Sequence, residues 1–428
     1  MAYDVRSETF WRKEDLRAEL LRVSEICSGC RLCFKFCPSF PSLFSAIDDA
    51  HDGDVAKLTN AELRNVVDLC FQCKLCYVTC PYTADQKHPF DVDFPRLVLR
   101  ERIVRAREEG VTLSDRFLGN PDLTGALGGL TAPVSNWGTK SRLGRLLLER
   151  IFGVDRRRNL PPFARTSFDR WFRKREKRLN RKVRGEGGKV ALFITCSVNY
   201  NYPEIGKSVV AVLAHHDVKV VCPEQRCCGM PYLDGGDVAN ATENLRFNVR
   251  AFRRFVDQGY TIVAPQPTCS YVLKNDYPWL DESEDARVVS RATMDVCEFL
   301  MKLHERGKLD TRFVSSPGKV LYHLPCHLKA QKIGCRSRDL LRLIPGTEVE
   351  MVDRCTGMDG TWGMKHAHYE DSLKVARPVF RAIEEFVPDR VASDCALAGL
   401  QIGQGTGLRS LHPVEILREA YGLSLEIG

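Results

Sequence analysis

Nowhere in the 428 residues does an uninterrupted apolar stretch approach the roughly 18–20 residues that a membrane span requires. The amino-terminal stretch from Met1 to Val23 is charged throughout and lacks the apolar segment of a secretory leader, so a cytoplasmic protein is expected. Nucleotide machinery is missing as well. There is no strand–GxGxxG–helix fingerprint and no P-loop, and the glycines of Gly125–Gly129 lack that context. Oxidation of any organic substrate is therefore expected on another polypeptide. The formal charge is only +8 and no nucleic-acid module is visible, so no nucleic-acid partner is expected. Between residues 111 and 188 there is not one cysteine.

Elsewhere there are 18. In a long cytosolic chain thiols stay reduced, so a disulfide framework explains them poorly and ligation of metal explains them better. Eight lie in a helix-like zone, 1–110. The other ten lie in 189–428, where short β-branched runs alternate with helical segments. The expected fold class is α/β with an amino-terminal helical domain. The expected domains are 1–110, a basic amphipathic linker 111–188, and two repeated α/β units, 189–315 and 316–428.

The first zone holds two Cys-x-x-Cys-x-x-Cys-x-x-x-Cys-Pro runs: Cys27, Cys30, Cys33, Cys37 and Cys70, Cys73, Cys76, Cys80. Three thiolates spaced by two residues curl around one iron-sulfur cubane. The fourth, held before proline, serves the other cluster. The expected ligand sets are thus Cys27, Cys30, Cys33 with Cys80, and Cys70, Cys73, Cys76 with Cys37, for two 4Fe-4S clusters. Zinc would favour two separated Cys-x-x-Cys knuckles. The 33-residue separation of Cys37 and Cys70 contains helical text starting near Thr59 and Asn60, which points to the helical type of ferredoxin domain. Phe34, Phe36, Phe71, Leu75 and Tyr77 are expected to shield the clusters from water.

The linker is strongly basic, with 16 Lys or Arg against four acidic residues from Ser141 to Arg184. Ser141–Gly153 and Ser167–Val183 mix apolar and basic residues at helical spacing. Such helices lie on an anionic membrane, dock on a partner or cap their neighbouring domains.

The last zone is an internal duplication. Lys189–Ser197 resembles Lys319–His327, Asp217–Met230 resembles Glu348–Met358, and Tyr260–Ser270 resembles Asp389–Gly399, at offsets of 128–130 residues. The first copy carries Cys196, the pair Cys227-Cys228 followed by Gly229, and Cys269. The second carries Cys326, Cys355 and Cys395, with Thr356 in place of the second paired cysteine. An adjacent pair closes a disulfide only with strain but can put two thiolates on one cluster. The cysteines fall where apolar runs end, the ligand edge of open α/β sheets.

The run Cys227–Pro231, Cys196, and the second-half HLPCH of His323–His327 resemble the CCG domain, named for its paired cysteines. The whole layout, including Ser197–Lys207 and Gly360–Lys365, resembles the iron-sulfur oxidoreductases built on that domain. This family includes the C subunit of anaerobic glycerol-3-phosphate dehydrogenase and relatives of the B subunit of heterodisulfide reductase. The resemblance implies a ferredoxin module fed by a flavoprotein dehydrogenase, one or two further Fe-S clusters in the CCG units, and transfer to quinone or another acceptor. It also implies five cysteines per unit. Here Gln266 stands at the missing position of unit one, and Thr356 and Ala398 at those of unit two. A three-thiolate unit two would leave an open iron, recruit another ligand or stay empty. His323 and His327 are candidates for a ligand or proton donor there, or are hydrogen-bonded strand-end residues. Asp394 reads as a turn or cap residue, and Cys222, Cys297 and Cys335 as buried or free thiols. Two other functions stand beside electron transfer: catalytic reduction of a disulfide or peroxide-linked partner at a CCG cluster, and a non-enzymatic sensor or scaffold.

Overall fold

The computed structural model describes residues 3–181 and 183–425. The amino-terminal module is helical throughout its described residues, with its longest helices at Lys13–Cys30 and Phe94–Glu109. Helix Asn60–Asp68 starts where the sequence signals it. Thr59 and Glu62 form a reciprocal capping box, and Leu63, Val66 and Val67 turn inward. They join Phe10, Phe40, Phe44, Ile47 and Val98 in one core.

The second half holds two four-stranded sheets. The first contains β1 (Gly188–Leu192), β2 (Val218–Val221), β3 (Thr261–Ala264) and β4 (Thr293–Asp295). The second contains β5 (Lys319–His323), β6 (Glu348–Val352), β7 (Arg390–Ser393) and β8 (Ser410–Leu411). Their orders are β2-β1-β3-β4 and β6-β5-β7-β8, every pair parallel. The duplication read in the sequence is thus a duplication of topology. Val190, Ala191 and Leu192 are buried without alternation, as expected of a parallel strand covered on both faces. The two units are not separate bodies. One apolar core runs through both, bringing Val209 and Leu213 together with Ile416 and Leu417, and Leu300 with Leu340 and Leu341.

The stretch expected as a linker divides in two. Phe168–Arg173 and Glu176–Arg181 bury Phe168, Trp171, Phe172 and Leu179 in the core of unit one, so this basic segment is a docked cap and not a free amphipathic face. The four helices Leu113–Gly119, Pro121–Leu130, Ala132–Lys140 and Arg142–Phe152 stay near the surface. They are anchored on the units at several points: a Cβ at Gly125 would meet the Tyr200 ring of unit one at 2.4 Å, and Lys365 of unit two pairs with Asp115 at 2.6 Å.

Candidate metal centre

All 18 cysteines are free thiols, and 15 of them gather into four sets. In the first set, Cys27 and Cys30 end helix Lys13–Cys30, Cys33 follows in the next turn, and Cys80 returns from beyond helix Leu75–Thr79. The four line one small cavity with Ile26, Phe40, Phe44, Tyr82 and Val92. The curl is made by Arg31, whose φ of 54° lets its amide donate to the Cys27 carbonyl at 2.8 Å. Burial, then the neighbouring Cys33, Cys80 and Cys30, push the Cys27 thiol up. Burial raises Cys33 to about 12. Four crowded thiols cannot all ionise unless something positive sits between them, and this donor set fits a soft metal cluster.

The second set is Cys70, Cys73 and Cys76 with Cys37, the crossed partner. It is more enclosed: Cys70, Cys73 and Cys76 are all buried. Gln72 and Lys74, lying between the cysteines, have φ of 52° and 63°, a left-handed backbone that costs non-glycine residues about 1–3 kcal/mol each. Two cations come with this set. Lys74 Nζ is buried and donates to Gln72 Oε1, while the Arg102 guanidinium donates to the carbonyls of Val67 and Cys70. Burial raises the Cys70 thiol while Arg102 and Lys74 pull it down. Neither cation was singled out from the sequence, because a lysine inside a cysteine run and an arginine on a helix both read as solvent-facing.

In unit one Cys196, Cys227, Cys228 and Cys269 lie in a row, each within hydrogen-bonding reach of the next. Gly229, at φ 101°, turns the chain beside the pair and lies against the Ala241 backbone, where a Cβ would come to 3.4 Å. Asp122 reaches in from the preceding helices and accepts from the Cys227 amide at 2.6 Å. In unit two Cys326 and Cys355 are hydrogen-bonded and Cys326 acts on Cys395 electrostatically. Thr356 is buried where the fourth thiol would stand. Burial raises Cys395 to about 11.

The sets form a line whose order differs from the chain. Cys33 of set one acts on Cys76 of set two. Cys326 of unit two is the foremost thiol acting on Cys73. Cys395 of unit two acts on Cys269 of unit one. The thiol set of unit two therefore lies between those of the ferredoxin module and unit one, although the ferredoxin module also packs directly on unit one, Arg96 pairing with Asp276 at 2.9 Å. Phe71, Leu75 and Trp362 seal the join beside Cys73, and Trp362 Nε1 donates to the Asp68 carbonyl at 2.9 Å.

Both candidate histidines have their ring nitrogens engaged. His323 Nε2 donates to the Arg354 carbonyl and its Nδ1 accepts from Ser393 Oγ, each at 3.0 Å. His327 Nε2 donates to the Gln72 carbonyl at 2.8 Å, and Nδ1 accepts from Thr268 Oγ1 at 2.9 Å. They tie elements together and leave no nitrogen lone pair for a metal. Asp394 is not a cap. It is buried and accepts from Tyr322 Oη at 2.7 Å and from Ser337 Oγ, while Cys395 caps the next helix. Cys297 is fully buried, whereas Cys222 and Cys335 are partly buried at the rim of the shared core. Phe34, expected as shielding, is 51 % exposed and stacks on Phe44, while Phe40, Phe44 and Val92 do the shielding.

A second feature lies on helices 113–152. Leu113, Leu127, Leu130, Val134, Trp137 and Leu143 are all more than half exposed, and helix Arg142–Phe152 buries no residue at all. Lys140, Arg142, Arg145 and Arg150 accompany them. Among the described residues no helix is long and apolar enough to cross a membrane.

A helical module with two four-thiol sets, joined to duplicated α/β units with thiols at their strand ends, has the build of an iron-sulfur electron-transfer protein. A family profile described as a cysteine-rich domain, CCG, matches residues 190–274 and 320–403, and one described as the citrate utilization protein B Fer4-like domain matches 20–109. The chain is 31% identical over 335 residues to the C subunit of anaerobic glycerol-3-phosphate dehydrogenase of Escherichia coli K12, covering 78% of this chain and 83% of that one. It is 27% identical to lactate utilization protein A of Geobacillus thermodenitrificans over 54% of this chain and 98% of that one. It is 28% identical to the B subunit of fumarate reductase (CoM/CoB) of Methanothermobacter marburgensis over 54% of this chain and 45% of that one. The chain belongs to the CCG-domain family of iron-sulfur oxidoreductase components that includes the glycerol-3-phosphate dehydrogenase subunit.

Proposed function

We propose that this protein relays electrons from a flavoprotein dehydrogenase to a quinone while resting on the cytoplasmic face of an anionic membrane. Cys27, Cys30, Cys33 and Cys80 would hold one 4Fe-4S cluster, and Cys37, Cys70, Cys73 and Cys76 the other. Cys196, Cys227, Cys228 and Cys269 would hold a third cluster, and Cys326, Cys355 and Cys395 a fourth. Such clusters supply one-electron chemistry at potentials set by charge and exposure. The protein's part is to hold the thiolates, exclude water with Phe71, Leu75 and Trp362, and supply positive charge through Lys74 and Arg102.

The observation that carries the reading is that each thiol set has a neighbour in the next, Cys33 with Cys76, Cys73 with Cys326, and Cys395 with Cys269. The half-exposed first set is the inlet side. The absence of a nucleotide fingerprint leaves substrate oxidation to the partner. The basic and apolar face of helices 113–152 suits anionic lipid. Iron and sulfide analysis with paramagnetic resonance tests the cluster assignment: about eight irons for the ferredoxin module alone, about twelve with unit one, about sixteen with both. Sedimentation with vesicles tests the membrane assignment. Binding to vesicles rich in anionic lipid, lost with Trp137→Glu and Leu143→Glu, is expected, and equal pelleting with neutral vesicles would count against it.

A further inference from the structure

Aligned on their cysteines, the two ferredoxin runs place Arg31 opposite Lys74 and Leu32 opposite Leu75. Arg31 and Lys74 share the left-handed backbone, at φ of 54° and 63°, so the two turns are built alike. Their surroundings differ. Leu75 is 7 % exposed, because Trp362 of unit two packs over it together with Phe71, and Cys326 and Cys355 of unit two lie against the same cluster. Helix Leu75–Thr79 packs on helix Cys326–Ala330. This face of the second run is thus the seat of the next thiol set. On the first run the matching Leu32 is 56 % exposed.

That exposed face is apolar and firm. Outside helices 113–152, six large apolar side chains are exposed among the described residues, and three of them, Leu32, Phe34 and Phe90, stand around the first set. Leu32 lines the cavity of Cys27, Cys30, Cys33 and Cys80. Phe34 stacks on Phe44, Phe90 packs on Tyr82 at 5.6 Å, and Phe44 and Tyr82 line the same cavity. Single exposed apolar residues are ordinary, but three on the rim of one site mark a contact surface. Arg31 donates to both carboxylate oxygens of Asp48 at 2.6 Å each and to the Ser28 carbonyl at 2.9 Å, which fixes the turn that bears Leu32. Arg22 donates to the Phe90 carbonyl at 2.9 Å. A surface ordered before binding loses little freedom on docking.

We propose that Leu32, Phe34 and Phe90 form the docking surface for the electron-donating flavoprotein, which sits over the first set as unit two sits over the second. The proposal rests on the relay reading above and gives it a point of entry. The face at Leu75 identifies the occupant: where this turn is buried, its cover is the protein that bears the neighbouring redox site. A surface of this size, with an apolar and aromatic centre, suits the small contacts of transient redox partners. Each reduced flavin gives up two electrons, one at a time, by way of the first set to the acceptor of the relay, and releases its protons to water.

Photolysis of the full chain carrying p-benzoylphenylalanine in place of Phe34, in the cells that make the protein, tests the surface. An adduct with a protein that carries flavin is expected, read by peptide mass spectrometry and flavin fluorescence. An adduct with a second copy of this chain or with lipid, or no adduct, overturns the proposal. The captured flavoprotein is then purified, reduced and mixed with the cluster-loaded chain. Leu32→Glu and Phe90→Glu should each slow reduction of the clusters at limiting flavoprotein by about tenfold or more. Dithionite should reduce both variants fully, with the resonance signals of wild type. Wild-type rates in both variants overturn the surface and leave the relay standing. A wild-type chain that dithionite reduces but the flavoprotein does not overturns the relay itself.

Discussion

Phe193 in unit one and His323 in unit two occupy the same place at the end of the first strand of their sheets. One ring packs on Phe252 at 5.5 Å, while the other joins Ser393 to the Arg354 carbonyl. Four residues on, the place of Ser197 is taken in unit two by His327, which bridges Gln72 of the ferredoxin module and Thr268 of unit one. At the pair, Thr356 stands in unit two where unit one has Cys228. Sheet order is identical in the two units, so the differences lie at the strand ends. Unit one closes four thiols into a sealed row. Unit two has fewer thiols and lies against both the second ferredoxin set and unit one. The copy with fewer thiols is the junction.

The sharpest way to break this comparison is at the pair. Cys228→Ala should cost unit one its cluster, about four irons per chain, while the ferredoxin signals persist. Thr356→Cys should leave unit one untouched and alter only the resonance of unit two. Iron analysis and paramagnetic resonance on both variants decide it.

The seam comes next. Trp362→Ala removes a ring packed on Phe71 at 4.9 Å and should cost about 3–5 kcal/mol locally. Hydrogen exchange should show it as lost protection at helix Leu75–Thr79, with electron transfer beyond set two slowed. Phe252→Ala, a comparable loss in unit one, should lower the melting temperature and leave that transfer intact.

Acid should separate the units more gently. Burial lowers His323 and His327 to about 4, so both are neutral when folded, whereas an unfolded histidine is charged below roughly 6.5. The unfolded state then binds more protons, and stability falls as pH drops from about 6.5 toward 4. Unit one has Phe193 and Ser197 at these places. Hydrogen exchange at decreasing pH should expose Lys319–His323 before Gly188–Leu192, and His323→Phe should narrow the gap.

The smallest effect is expected at Lys74. Lys74→Met removes a buried positive charge beside the second set and should lower its reduction potential by about tens of millivolts, leaving unit one unchanged. Potentiometric titration followed by resonance reads both.

Much of this was legible from residue spacing. The two cysteine runs foretold two crossed sets, Thr59 foretold a helix start, and the 128–130-residue offsets foretold twin sheets. Each is a local signal, because a turn of three residues or a cap of four is dictated by its own backbone. The basic segments were harder. Ser141–Gly153 and Ser167–Val183 share a pattern, yet only the second docks, since amphipathicity states that a face must be covered and not by what. Phe34 failed as a shield for the same reason, and Lys74 and Arg102 escaped notice because burial of a charge depends on distant carbonyls.

The sequence by itself determined which thiols lie within reach of one another in the ferredoxin module, for spacing along a short turn is a covalent matter. It also determined that two like sheets would form, because their strands carry the same apolar runs. Only the tertiary structure decided the order of the sets. That order comes from Trp362 packing on Phe71 and from His327 reaching Gln72 across 255 residues of chain, contacts whose partners no local pattern names.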